Sequence, residues 1–270
     1  MDRLTRAFDA LRRARRKALI PFLVGGFPQP SLTGPLLVAL QEAGADAIEV
    51  GIPFSDPLAD GPTIQRASAQ ALARGTTPPT ILAAIASVRA RLRVPVLCLT
   101  YVNPMLQFGG SRRGGGLSAF FRAAAASGIS GVIAPDVPVE AAAELRAAAA
   151  SSGVATVFLA APTSPPDRLR LIARASQGFI YYVSVTGTTG ARRRLPPTLV
   201  HGIRQLRVVT TKPICVGFGI STPAQAARVA RLADGVIVGS ALVQVIATAR
   251  RAPHAVRAAA GFVARLRKGL

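Results

Sequence analysis

The feature that most restricts the fold is a rhythm. Eight short apolar runs, rich in Val, Ile and Leu, recur at 18–24, 47–51, 94–99, 131–135, 154–160, 179–185, 213–219 and 235–240. Each has the length of a buried strand and is too short for a helix. Between them lie Ala-, Leu- and Arg-rich stretches with helical spacing, among them 31–43, 117–127, 139–151, 222–232 and, after the last run, 254–266. Alternation of strand and helix implies right-handed crossovers and a parallel sheet. Eight such units in 270 residues predict an α/β fold, a single-domain (β/α)8 TIM barrel over 1–270, for which about 250 residues is typical. The competing architecture is a doubly wound open sheet. That fold would place a Gly-rich nucleotide turn after the first strand, where VGGFPQP (24–30) breaks with two prolines and lacks G-x-G-x-x-G spacing.

The chain opens with MDRLTRAFDALRRARRKAL, whose Leu4, Phe8 and Leu11 form one apolar face. It is read as an extra N-terminal helix packed on the core rather than a transit peptide, because Asp2 and Asp9 are acids that such peptides avoid. No apolar run is long enough to cross a bilayer. Cys98 and Cys215 sit in separate apolar runs and read as buried, reduced thiols, which points to a reducing, cytoplasmic compartment. FGGSRRGGGLS (108–118), after the third strand, is expected to be a mobile loop.

The formal net charge is +21, from 33 basic and 12 acidic residues. Such a surplus raises the question of nucleic-acid or other polyanion binding. All but three of the basic residues are arginines, spread along the chain with many Ala, Gly and Pro, which fits compositional drift. No helical basic stripe, zinc-finger spacing or interleaved aromatic set supports binding to nucleic acid.

Barrel enzymes place their chemistry at the C-terminal ends of the strands. Glu49 lies near such an end, in the second run. A carboxylate partly removed from water there has a raised pKa and can give or take a proton near neutrality. The bland alternative is a strand-end Glu paired with an Arg. Asp56 and Asp60 follow in PFSDPLADGP (53–62), a loop stiffened by three prolines that can hold a carboxylate near Glu49; caps and Asx-turns are the alternative for both aspartates. Glu42 and Asp46 are expected as solvated helix-end residues. Three Gly-bearing loops follow the sixth, seventh and eighth runs: SVTGTTG (184–190), VGFGIS (216–221) and IVGSA (237–241), the last opening a short helix at Gly239-Ser240. Glycines let backbone N–H groups approach an anion, and a helix N-terminus adds its dipole. Loops there form the recurring phosphate site of such barrels.

His201 and His254 fall in helical stretches away from the carboxylates, so no metal site is expected. Lys17 and Lys212 precede strands, at the opposite end of the barrel, which disfavours a Schiff base. What is left is carboxylate acid/base chemistry on a phosphorylated substrate, with Tyr101 or Tyr181 as candidate helpers.

IEVGIPFSDPLADGPTIQ (48–65), APDVPVE (134–140), IYYVSVTGTTGAR (180–192) and VGFGIS (216–221), in this order, resemble the tryptophan synthase α subunit family, nearly end to end. The resemblance implies cleavage of indole-3-glycerol phosphate to indole and glyceraldehyde 3-phosphate by a retro-aldol reaction, with no metal or cofactor in this chain. It gives proton transfer to Glu49, stabilisation of the indole nitrogen to Asp60, and a place beside Glu49 to Tyr181. Phe22, Leu99, Tyr101 and Phe218 would line the indole slot; Gly190, Gly219, Gly239 and Ser240 would hold the phosphate; Thr189 would sit on a closing loop. It also implies a pyridoxal-phosphate β subunit as partner, in a heterotetramer of two α and two β chains, with Asp56, Asp136 and Pro138 at the contact. Departures concern the partner side: the Gly/Arg-rich insertion lies near the expected contact surface, and ARRRLPP (191–197) adds positive charge behind the closing loop. A stand-alone lyase and a basic barrel turned polyanion-binding protein stay open as alternatives.

Overall fold

The structure, a computed structural model, describes residues 2–110, 115–183, 195–217, 219–249 and 251–270. Among them are nine strands: β1 (Ala18–Val24), β2 (Ile48–Gly51), β3 (Val96–Leu99), β4 (Ile129–Ile133), β5 (Ala155–Val157), β6 (Leu159–Ala160), β7 (Ile180–Val183), β8 (Ile214–Gly217) and β9 (Gly235–Val238). All pair in parallel. They form one sheet in the order β5-β4-β3-β2-β1-β9-β8-β7-β6.

The two ends of that order are consecutive pieces of one apolar run. The sheet therefore curls until its edges meet at Phe158, giving a nearly closed barrel. The expectation of one unbroken strand over 154–160 is corrected here. Phe158 N donates to Ser176 Oγ at 3.1 Å instead of continuing a ladder, while Phe158 O accepts from Tyr181 N at 3.2 Å. The run thus changes neighbours, from β4 before the break to β7 after it. The fourth strand also lies two residues earlier than expected. It starts directly after Gly128, which ends a helix in the left-handed region (φ 95), and stops before Pro135, which has no N–H to continue a ladder.

Twelve α-helices are described: α1 (Arg3–Arg13), α2 (Thr33–Glu42), α3 (Pro62–Ala73), α4 (Pro78–Val88), α5 (Val102–Leu106), α6 (Leu117–Ser127), α7 (Ala143–Ser151), α8 (Pro166–Ala175), α9 (Pro197–Val209), α10 (Pro223–Ala230), α11 (Ser240–Ala247) and α12 (Ala252–Arg267). The stretch expected as one helix over 139–151 is a 3-10 turn followed by α7. In the expected loop 108–118, α6 already begins at Leu117, and residues 111–114 lie outside the described set.

The apolar side chains divide into two layers. The larger joins the outer face of the strands to the helices. The smaller fills the barrel and includes Ala18, Ile20, Ala47, Leu97, Ile133, Ala155, Val157, Phe179, Cys215 and Ile237. Its lower end is stoppered by α1, as the spacing of Leu4, Phe8 and Leu11 predicts. Leu4 is fully buried and packs so closely on Gly178 that a Cβ there would stand 2.5 Å from Leu4 Cγ. The Phe8 ring lies 5.0 Å from that of Phe179. Each such side chain removed from water contributes roughly 2–3 kcal/mol. Asp2 caps α1 by accepting from Thr5 N at 2.8 Å.

Asp46 corrects the reading of it as a solvated helix-end residue. Its side chain is only 9% exposed and accepts from Leu19 N at 2.9 Å, Arg16 at 3.0 Å and Arg267 at 2.7 Å. It clasps the first strand to both ends of the chain. Glu42 is exposed, as expected.

Candidate active site

Side chains alternate along a strand, so the interior cluster fixes which residues look inward. Ala47 on the approach to β2 lies in the barrel interior, and Glu49 and Gly51 share its parity. By the same count Phe22 follows Ile20, Leu99 follows Leu97, Tyr181 follows Phe179, and Gly217 follows Cys215. Leu99 and Gly217 are the last residues of their strands, Phe22 lies two residues before the end of β1, and Tyr181 two before the end of β7. The ladder puts Phe22 level with Glu49, and Glu49 level with Leu97. Across the barrel, Tyr181 is level with Leu159 on one side and Cys215 on the other. Phe22 and Glu49 therefore share one level of the barrel, Leu99 stands one inward position further along β3, level with Gly51, and Tyr181 comes from β7 across the barrel.

Glycines clear the space between them. A Cβ on Gly51 would stand 2.7 Å from Phe22 Cζ, and one on Gly217 would stand 2.9 Å from Tyr181 Oη. The rings of Phe22 and Tyr181 can occupy these places only because no side chain does.

Glu49 is 1% exposed, and neither carboxylate oxygen has a hydrogen-bond partner among the described residues. An ionised carboxylate without donors in an apolar setting is costly, so burial drives its pKa up to about 8, with further repulsion from Asp60. At neutral pH the group carries its proton. Asp60 differs. Burial raises it to about 6, but a hydrogen bond from Tyr101 favours its ionised form, so it is mostly anionic at pH 7. Two carboxylates at one site thus hold opposite protonation states, the pattern that separates a proton donor from a charge stabiliser.

The loop 53–61 is held by Tyr101. Its hydroxyl donates to Asp60 Oδ2 at 3.2 Å and accepts from Ala59 N at 2.9 Å. Its ring packs on Phe54 at 5.2 Å. Tyr101 also precedes α5, and the first helical amide, Val102 N, donates to both oxygens of Asp136 at 3.1 and 3.0 Å. Asp136 and Pro138 are exposed on the loop after β4. Asp56 is exposed and accepts from its neighbour Ser55 Oγ, and beside it Leu58 is 93% exposed. The sequence offered no signal for the Tyr101–Asp60 and Val102–Asp136 bonds, which join residues 41 and 34 positions apart.

At the mouth's other side, Ser240 opens α11 with Gly239 as its N-cap. A Cβ on Gly239 would lie 3.5 Å from Phe22 Cδ1 and 3.8 Å from Ile64 Cδ1. The first amides of α11 have no intrahelical acceptor and open beside the Phe22 ring. Gly219 adopts φ +41, with open space where a side chain would be. Thr189, Gly190 and Phe218 lie outside the described residues. Among the described residues no three His, Cys, Asp or Glu side chains gather as metal ligands.

Residues 8–269 match the family described as Tryptophan synthase alpha chain. The chain belongs to that family. A tryptophan synthase alpha chain from Gloeobacter violaceus is 50% identical over 248 residues, 92% of this chain and 87% of its own length. One from Geobacter sulfurreducens is 45% identical over 270 residues, all of this chain and 99% of the relative. Among solved structures, tryptophan synthase subunit alpha from Legionella pneumophila superposes with a TM-score of 0.89 at 34% identity, covering 100% of this chain and 98% of that one. A chain of Mycobacterium tuberculosis tryptophan synthase gives 0.88 at 37% identity, covering 99% and 98%. Membership makes the chain a lyase of tryptophan biosynthesis that acts on indole-3-glycerol phosphate, in a family that works with a β subunit. The barrel fits that family.

Proposed function

We propose that Glu49 and Asp60 carry the retro-aldol cleavage of indole-3-glycerol phosphate to indole and glyceraldehyde 3-phosphate, within a single barrel domain spanning 1–270. The observation that carries this reading is the opposite protonation of the two carboxylates. Indole leaves poorly until C3 is protonated. Glu49, protonated at neutral pH, gives its proton to C3, and positive charge then spreads to the ring nitrogen. Asp60, anionic, accepts from that N–H and is worth most when the charge is greatest. The Glu49 carboxylate, now ionised in an apolar place, takes the proton of the neighbouring glycerol hydroxyl. The C–C bond breaks as the carbonyl forms, and its electron pair returns to the indole ring. Glu49 ends as it began, having given one proton and taken one.

Phe22 and Leu99 offer the apolar slot, with Tyr101 fixing the Asp60 loop at its edge and Phe218 a further wall. Tyr181 stands over Gly217 beside Glu49. Gly239 and Ser240 at the start of α11 take the phosphate through backbone amides, with Gly219 after β8 and Gly190 as further phosphate-binding residues, and Thr189 belongs to the loop that closes over the substrate. None of these steps calls on a metal or a cofactor in this chain; pyridoxal phosphate belongs to the β subunit. The exposed loops bearing Asp56, Asp136 and Pro138 face that subunit in an α2β2 assembly, in the cytoplasm. Among the described residues no helix is long and apolar enough to cross a membrane.

The test is Glu49→Gln. The variant should fold and bind the substrate yet release no indole. Near-normal turnover would remove Glu49 from the chemistry.

A further inference from the structure

The proposed reaction uses the C-terminal mouth of the barrel and leaves its other end without a task. There, between the end of α1 and the start of β8, lies a cavity of about 420 Å³. Its apolar floor includes Phe8, Leu11 and Pro213. Around the floor stand Arg12, Arg15, Arg16, Lys17 and Arg207, against a single lining carboxylate, Asp234. A smaller cavity of about 210 Å³ shares Arg12, Thr211 and Pro213 with it and adds Lys212 and Asp9.

Most of these cations are held in place by one bond each, and Arg207 by two, the second to Lys212 O at 3.3 Å. Arg12 pairs with Asp9 at 2.8 Å and Arg16 with Asp46 at 3.0 Å. Arg207 pairs with Asp234, and Lys17 Nζ donates to Ala233 O at 2.8 Å. A guanidinium has five N–H donors, so donors are left over on these lining residues. Arg15 makes no side-chain bond among the described residues. It also occupies the helix-ending position with φ 53, a left-handed conformation that glycine normally takes. The fold thus places an uncommitted guanidinium where it would be structurally easier to have none.

We propose that this cleft is an anion site for a small organic molecule bearing two or more linked phosphates, such as a nucleoside diphosphate or triphosphate. The excess of lining cations calls for more than one negative charge. The volume of this half-open cleft, about 420 Å³, falls in the range of small-ligand pockets, about 300–1,000 Å³, and the floor gives an apolar moiety somewhere to sit. A nucleic-acid strand needs an open track with stacking rings instead, and this concave, arginine-rimmed hollow does not provide one.

The test is isothermal titration of the full chain with pyrophosphate and with ATP at about 150 mM salt, where diffuse charge attraction is screened. Arg15→Gly removes the uncommitted cation at a backbone position suited to glycine, so it keeps the fold. It should weaken binding about tenfold. Arg13→Ser, an equal loss of charge two residues away and off the cavity, should change it less than about twofold. Orthophosphate should bind more weakly than pyrophosphate. In the unaltered chain, pyrophosphate should protect Arg15, and not Arg13, from phenylglyoxal. Equal effects of the two substitutions would assign the binding to overall charge and overturn the proposal, as would no saturation below about 1 mM ligand. Tighter binding of ATP than pyrophosphate would support seating on the apolar floor, and equal binding would support recognition of the phosphates alone.

Discussion

Replacing Glu49 with Gln should stabilise the protein, by an amount that grows with pH. In the unfolded chain this carboxyl ionises near its ordinary value of 4.5, whereas in the folded barrel it holds its proton to about 8. Between those values the folded state carries one more proton than the unfolded one, so stability falls as pH rises, at about 1.4 kcal/mol per pH unit from this group. Below 4.5 the penalty is absent, and above 8 it is complete. By pH 7 the sum is about 3 kcal/mol and at its limit about 5, both upper figures because a charged Glu49 would draw in water or shift its neighbours. Gln has nearly the same shape and cannot ionise. Its unpaired amide carries a cost, but one that does not vary with pH. Urea denaturation of both proteins at pH 5, 6, 7, 8 and 9 would therefore show curves that diverge. The variant should gain on the parent by a few kcal/mol from pH 5 to pH 8 and by little more beyond. Parallel curves would mean that Glu49 is ionised in the folded protein at neutral pH, and the proton-donor role would fall with that result.

Asp60→Asn should preserve the fold and lower kcat by about 10²–10³, the usual effect of removing one stabiliser of transition-state charge, with KM little changed; a loss under about threefold would refute the role. Tyr101→Phe removes the hydroxyl bond that favours ionised Asp60, so the acidic limb of kcat/KM should move to higher pH, while an unmoved limb would show that the bond does not matter in solution. Gly51→Ala puts a methyl 2.7 Å from Phe22 Cζ; it should cost about 1–3 kcal/mol in stability and raise KM, as measured by thermal unfolding and steady-state kinetics.

Much of this molecule can be read from its sequence because strand period and barrel topology act together. Once 47–51 is a strand in a closed barrel, the parity of Glu49 follows from that of Ala47, and its place near the strand's end puts it in the mouth. Phe22, Leu99 and the place of Tyr181 beside Glu49 came from the family resemblance of the motifs instead. Contacts made by chance of distance were not legible. Tyr101 was expected as a candidate helper and as a wall of the slot, but nothing local says that its hydroxyl reaches Asp60 and Ala59. Asp46 looked like a solvated helix end because two of its partners, Leu19 and Arg267, lie 27 and 221 residues away. The break at Phe158 was hidden for a related reason. The run 154–160 is uniformly apolar, and only the demand that it pair with β4 on one side and β7 on the other splits it in two.

The most direct test of the account is the rate of indole release from indole-3-glycerol phosphate by the purified chain between pH 5 and 10. The account predicts a bell in kcat/KM, rising near pH 6 as Asp60 ionises and falling near pH 8 as Glu49 loses its proton. The two limbs belong to the coupled pair, and Glu49→Gln should show no indole at any pH. A profile without the alkaline fall, or steady indole release by Glu49→Gln, would contradict it.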